Sequence, residues 1–197
     1  MNYPGESAKH EQKRMETTKQ KTISLGFLTV RKHPSRGYFG GFLVLNLLAR
    51  PLEFHCTLPV QPTRAQQILY GLTLDEFISG EQIARALIFK AKSSLEVVFT
   101  DTLAALSGRH VQETPLIAID GSWERSENTI SHPVSQDHEM KSISAMDYRF
   151  SVLSQYESDL QRIHALFHKN DSSIDLIEPF GRIEEALLEA HPAAKAA

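Results

Sequence analysis

Two aspartates stand where apolar runs release the chain. Asp101 follows Leu95-Glu96-Val97-Val98-Phe99-Thr100, and Asp120 follows Pro115-Leu116-Ile117-Ala118-Ile119. Runs so short and apolar read as strands covered on both faces. In open α/β sheets ligands bind beyond the carboxyl ends of the strands. If these two strands are parallel neighbours, both carboxylates emerge at one rim. Such a pair suits Mg²⁺, which takes oxygen ligands and is commonly held by one or two carboxylates together with substrate phosphate. The ion would stabilise charge on a transferring phosphoryl group. Each acid also has a structural reading: Asp101 stands where a helix N-cap belongs, ready to accept from the amide of Leu103 or Ala104, and Asp120-Gly121 is a common turn dipeptide.

Other reactive side chains are spaced less tellingly. His164 and His168 lie four apart on a helical pattern, so they share a face on which Asp171 could complete a metal site. They also flank an apolar stripe, where polar residues are expected anyway. His132 and His138 fall in a polar stretch that imposes no spacing. Cys56 alternates with Leu52, Phe54 and Leu58, which predicts a buried, inert thiol. Gly37, Gly40 and Gly41 fit neither phosphate-binding fingerprint and no Lys-Ser or Lys-Thr pair follows them. They mark a turn and a strand whose backbone is closely approached.

The elements that must position these residues begin at Leu25. Leu25–Val30 and Tyr38–Leu48 are β-prone runs separated by the turn residues His33-Pro34-Ser35-Arg36-Gly37. Residues 52–58 alternate, with Leu52, Phe54, Cys56 and Leu58 on one face and Glu53, His55 and Thr57 on the other, the period of a strand buried on one side. Three strands joined by short loops predict an antiparallel meander. Thr63/Gln66, Thr73/Glu76 and Ser79/Gln82 match the capping-box spacing of helix starts. Ala65, Ile68 and Leu69 predict the buried stripe of a short helix, and Ile83, Ala84, Leu87, Ile88 and Ala91 that of a longer one. Strand, short helix and strand over 95–120 favour a parallel connection. Residues 121–142 read as a polar loop. Phe150, Leu153, Tyr156, Leu160, Ile163 and Phe167 then recur at helical spacing, and a last helix is expected over Gly181–Ala190.

The expected fold is thus α/β with a mixed sheet: an N-terminal three-strand antiparallel meander, helices, two parallel strands, and C-terminal helices packed on the core. Residues 1–22 form a basic arm with nothing to bury, 23–120 the α/β core, 121–142 the loop and 143–197 a helical segment. Over residues 25–120 this strand order resembles that of the ribonuclease H-like superfamily. The resemblance implies acids on the first strand, the first helix and the fourth strand, and Glu81 and Asp101 match the second and third of these. Leu25–Val30 carries no acid at the first. The order therefore fits a catalytically silent member as well as an active nuclease.

Composition narrows the function classes. Across 197 residues the formal charge is only −3, which gives no drive for wholesale binding to nucleic acid or anionic membrane. A local contribution from Lys9, Lys13, Arg14, Lys19 and Lys21 of the arm, with Arg31, Lys32 and Arg36, stays open. One cysteine allows no internal disulfide, which suits a reducing, cytoplasmic compartment. The longest apolar run, Phe42 to Ala49, is far short of the roughly 20 residues of a membrane helix. The leading expectation is a non-catalytic binding or assembly protein with a protein partner or self-association and no cofactor. Two alternatives stand beside it. One is a Mg²⁺-dependent phosphodiester-cleaving enzyme using Asp101, Asp120 and Glu81, with Asp101 and Asp120 holding the metal. The other is a nucleic-acid-binding module without chemistry.

Overall fold

The computed structural model describes residues 23–120, 139–169 and 174–191. The first three strands, β1 (Ser24–His33), β2 (Gly37–Asn46) and β3 (Pro51–Cys56), form the antiparallel meander expected from their short connections. Beyond β1 lie β4 (Leu95–Thr100) and β5 (Leu116–Asp120), each parallel to its neighbour. Two further strands, β6 (Met140–Ala145) and β7 (Tyr148–Leu153), extend the same sheet, β7 running antiparallel to β5. The order across the seven strands is β3-β2-β1-β4-β5-β7-β6. The mixed α/β architecture, the meander and the parallel pair are as the strand patterns predict.

Alternation along the strands divides the interior into two cores. Leu25, Phe27, Val97, Phe99, Ile117 and Ile119 face one way, beneath α4 (Ser158–Lys169) and α5 (Glu178–Ala190). Leu28, Val30, Phe42, Val98, Leu116 and Ala118 face the other. That second face is covered by α2 (Leu74–Glu76), a wide-turn π segment (Phe77–Ala84), α3 (Arg85–Lys90) and a 3₁₀ helix (Leu103–His110). Burying each large apolar side chain in such a core stabilises by roughly 1.5–3 kcal/mol.

The glycines of β2 let both layers approach. A Cβ on Gly40 would meet Ile83 at 2.2 Å on one face, and a Cβ on Gly41 would meet Ile183 at 2.4 Å on the other. This is the close approach that their place in a strand predicts.

Several expectations are corrected. Phe150 and Leu153 do not open a long helix; they belong to β7, and the helix starts only at Ser158. The stripe is split because Phe150 and Val152 bury on one face of the sheet and Leu153 on the other. The β6–β7 hairpin closes on Met146 and Asp147, both at positive φ (51° and 65°). That conformation normally advertises itself through Asn-Gly or Asp-Gly, and this turn carries Met-Asp instead. Residues 143–153 are therefore sheet, not helix, and Met140–Ser142 of the expected loop are strand. The last helix begins at Glu178 with Pro179 in its first turn, so Gly181 lies inside it.

Of the three capping boxes, only Thr63–Gln66 forms, with both reciprocal bonds. Ser79 and Gln82 sit within an uninterrupted helix. The helix after the box, α1 (Arg64–Tyr70), buries none of its residues, and Ile68 and Leu69 are 64% and 81% exposed. Its predicted buried stripe faces solvent. By contrast Ile83, Ala84, Leu87 and Ile88 are buried as expected.

Candidate functional site

The carboxyl end of β4 carries a dense polar cluster. Leu28 pairs with Thr100, so Arg31 of β1 lies within reach of Asp101. Its guanidinium donates to both carboxylate oxygens, Nη2 to Oδ2 at 2.6 Å and Nη1 to Oδ1 at 3.3 Å, while Nε donates to Glu184 of α5 at 3.0 Å. A two-point Arg–carboxylate pair is among the stronger polar contacts a protein makes. Burial works to lower the Arg31 pKa, but the facing charges of Asp101 and then Glu184 outweigh it and raise the value. The hydroxyl of Thr102 accepts from the amide of Val30 and lies 3.0 Å from Asp101 Oδ1. Asp101 does not cap the following helix as expected. Thr102 is the residue at that position, and it makes no side-chain cap bond. The Arg31 partner, distant in sequence, wins the carboxylate.

Asp120 leaves the sheet elsewhere. It pairs with Arg149 on β7 and lines an open groove of about 440 Å³ with Ser144, Ala145, Met146, Asp147, Tyr148 and Arg149. Leu116 and Ala118 face the core under the π segment, so alternation puts Asp120 on that face. Val97 and Phe99 face the α5 side, and Asp101 follows them there, joined through Arg31 to α5. The strands are parallel as predicted, yet the structure does not bring the two acids together: one residue of offset sends them to opposite faces. Glu81 sits in the π segment, over the face of Asp120 rather than of Asp101.

The first strand offers no further acid. Leu25, Phe27 and Leu28 are fully buried core there. Among the described residues no three His, Cys, Asp or Glu side chains gather as a metal-binding group. The donor set does not fit the Mg²⁺ ion that the ribonuclease H-like strand order implies: the one acid at the expected rim has both oxygens on a guanidinium, and its counterpart faces away.

Three other polar clusters join residues too far apart in sequence to be read as pairs. Arg109 of the 3₁₀ helix donates through Nε to Asp159 of α4 at 2.8 Å and through Nη1 to the carbonyl of Gln112 at 2.8 Å, with its cation 4.5 Å from the ring centre of Tyr156. Asp75 accepts from the Tyr38 hydroxyl in a short contact and from Lys32 Nζ at 2.9 Å. Burial first, then Asp75, raises the Tyr38 pKa.

Glu53 of β3 closes the end of α3, accepting from the Ser93 hydroxyl, from the amides of Lys92 and Ser93, and contacting His55 Nε2 at 2.9 Å. The Ser93 bond, against the opposing effect of burial and with help from the amides and His55, holds this carboxyl down to about 2. A depressed carboxylate contributes stability that is present above its unfolded value and lost as pH falls through the folded one. Glu53→Gln is therefore expected to flatten the loss of unfolding free energy between about pH 4.5 and pH 2, measured by urea titration across that range. An unchanged slope would show that the cluster is not linked to folding.

Arg31 and Lys32, two of the cations set aside for nucleic acid, are held by Asp101, Glu184 and Asp75. The basic arm, Gly121, His132, His138 and Asp171 lie outside the described residues, as do the side chains of His164 and His168. Cys56 is half-buried against the core under α5. No described helix is long and apolar enough to cross a membrane.

No family model matches this chain, and no curated protein matches it. Among solved structures it is similar to endonuclease V of Ciona intestinalis, a variant in complex with a 23mer DNA containing an inosine followed by a ribo-adenosine. The likeness has 13% identity and a TM-score of 0.37, over 68% of this chain and 71% of that one. Agreement of that order says nothing about this chain's chemistry.

Proposed function

We propose that this chain is a non-catalytic protein-binding module that presents α1 to its partner. One observation carries the reading: Ile68 and Leu69 are 64% and 81% exposed on α1, which buries none of its residues, and Leu72, in the 3₁₀ turn that follows, is 94% exposed. Large aliphatic side chains clustered in solvent are unfavourable for a free surface, and such patches mark interaction sites. A seven-residue helix is also marginal by itself. This one is held at its start by the Thr63–Gln66 box and at its end by Tyr70 stacked on Phe77, with ring centres 3.8 Å apart. The helix is thus formed in advance, and its apolar side chains have the spacing by which helices enter a partner's groove.

The test is affinity capture with the full chain, compared with a variant carrying Leu69→Glu and Leu72→Glu. Both sites are exposed, so the circular dichroism spectrum is expected to be unchanged. Affinity for a captured partner is expected to fall at least about 100-fold, since each lost aliphatic contact is worth about 1.5–3 kcal/mol. Equal binding by the variant would sink the proposal. So would Mg²⁺-dependent cleavage of DNA or RNA by the wild-type chain that disappears in Asp101→Asn. Phosphodiester cleavage would require Asp101 to exchange its guanidinium for a cation, with no second acid placed on its face by β5.

A further inference from the structure

The outward face of α3 has a composition that neither helix formation nor packing explains. Ile83, Ala84, Leu87 and Ile88 are buried, so the helix turns Arg85, Ala86, Phe89 and Lys90 to solvent. Phe89 is 90% exposed. Phenylalanine is a poorer helix former than lysine or glutamine, and here it gains almost nothing from burial. Residues four apart on a helix are neighbours, which sets Arg85 beside Phe89 and the small Ala86 beside Lys90. Among the described residues neither a ring nor a cation stacks on Phe89. Its ring is open to a stacking partner.

Lys92, exposed just beyond the helix, extends the basic patch. Its backbone is fixed by Glu53, which accepts from the amides of Lys92 and Ser93 and from the Ser93 hydroxyl. Alternation predicts Glu53 and His55 on the solvent side of β3. Instead their side chains are largely covered and Leu52 and Phe54 are exposed. On that exposed side α5 is centred on β2, with Ile183 and Leu187 over Gly41, and leaves β3 half-covered. The Glu53 carboxylate is thereby committed to Ser93, the two amides and His55.

Among the described residues no acid forms an ion pair with Arg85, Lys90 or Lys92. Glu81 precedes Arg85 within the π segment, whose wider turn takes it out of line. The carboxyl end of a helix favours cations, which accounts for Lys90 and Lys92. It accounts for neither Arg85 nor an exposed phenylalanine between them.

We infer that this face binds single-stranded nucleic acid, with a base stacked on Phe89 and the flanking phosphates met by Arg85, Lys90 and Lys92. The choice of occupant rests on charge complementarity together with the ring. Three cations without acids of their own call for an anionic partner. Open aromatic rings set among cations are how proteins hold single strands, because every base has a face to stack. An anionic membrane would draw in several apolar side chains from one face, and α3 offers a single large one. A peptide laid on a protein fills a groove, and a side chain standing this far clear of the surface lines none. Arg31 and Lys32, whose charges are taken by acids of the chain, do not compete for this role.

The experiment is fluorescence anisotropy of the full chain with short labelled oligo(dT) and oligo(U). The wild type is expected to bind, and the tighter of the two identifies the sugar it prefers. Phe89→Ala is expected to weaken binding about 10-fold, the loss of one stacked base. Phe89→Leu is expected to weaken it as much, whereas Phe89→Trp restores it. Arg85→Gln with Lys90→Gln and Lys92→Gln is expected to reduce the slope of log affinity against log salt by about 2, since each phosphate contact on a single strand contributes about 0.7. Residues 1–22 are the same in every variant, so these differences belong to α3. All the substituted side chains are exposed, and the circular dichroism spectrum is expected to be unchanged. Should the triple variant lose helix, the Phe89 series decides alone. A wild type that binds neither strand overturns the inference, as does a Phe89→Leu variant that binds like wild type. So does displacement by poly-glutamate or by phosphatidylserine vesicles that matches unlabelled oligonucleotide, since neither competitor carries a base. This face holds none of the exposed residues of α1, so either idea can fail without the other.

Discussion

Gly80→Ala is expected to destabilise the protein by about 3 kcal/mol, measured as a lowered urea midpoint, although alanine is the better helix former. At this point the π segment lies directly against the 3₁₀ helix. A Cβ on Gly80 would stand 1.9 Å from Ser107 Oγ and 2.4 Å from the Gly108 amide nitrogen. Ser107 cannot swing aside cheaply, because its buried hydroxyl donates to the carbonyl of Glu76 at 2.7 Å and lies 3.0 Å from that of Ala104. Gly108 meets the same constraint from the other side, since a Cβ there would be 2.8 Å from the Gly80 carbonyl. Neither helix is of the ordinary α form here. The wide turn of one and the tight turn of the other bring two backbones into contact where side chains would hold them apart. Gly181→Ala supplies the control. It lies inside α5 with nothing within 4 Å of the added methyl group, and is expected to gain up to about 1 kcal/mol from helix propensity. If both alanines stabilise, the steric account of the 80–108 contact is wrong.

The second large effect is expected at Arg109. Asp159 retains only 5% of its side-chain surface, and Arg109 17%. Arg109→Met removes both guanidinium bonds to the carboxylate, the bond to the Gln112 carbonyl and the cation over Tyr156. Stripping a buried carboxylate of its partner costs about 3–5 kcal/mol, because the charge remains out of water without compensation. Replacing both members, Arg109→Met with Asp159→Leu, is expected to recover most of that loss, since apolar residues of similar volume carry no desolvation penalty. Chemical denaturation of the two single variants and the double variant gives the coupling energy directly. Additive losses would mean that the pair does not tie the 3₁₀ helix to α4 and that each residue acts through separate contacts.

Local patterns were enough for the framework. The apolar runs and turn residues over 25–58, and the run–helix–run order over 95–120, point to a meander followed by a parallel pair. Short loops cannot join parallel neighbours and long crossovers rarely join antiparallel ones, so connection length carries topology. The buried stripe of the π segment and α3, the Thr63 cap and the tight backbone at Gly40 and Gly41 were equally legible. The stripe and the cap depend on residues close together in the chain, and the glycines announce a close approach by their own missing side chains, whatever makes it.

The candidate site was legible only in part. Asp101 does end its strand at the expected rim, but nothing near it in the chain announces Arg31, 70 residues away, or Glu184 on the last helix. The opposite facing of Asp120 depends on the stagger between two strands, and a single residue of stagger reverses a side chain's face. The helical period through Phe150 and Leu153 was equally misleading, since pairing with β5 and β6 makes this stretch a strand whose two faces enter the two cores.

What the order of residues decided, then, was where strands and helices form and how the first five strands connect. Which faces of α1 and β3 meet solvent was decided by coverage: α5 stops short of β3, and nothing described packs over α1. An apolar face records only that burial is favourable. Whether the chain's own core supplies that burial, or a partner must, is settled by the positions of elements distant in sequence.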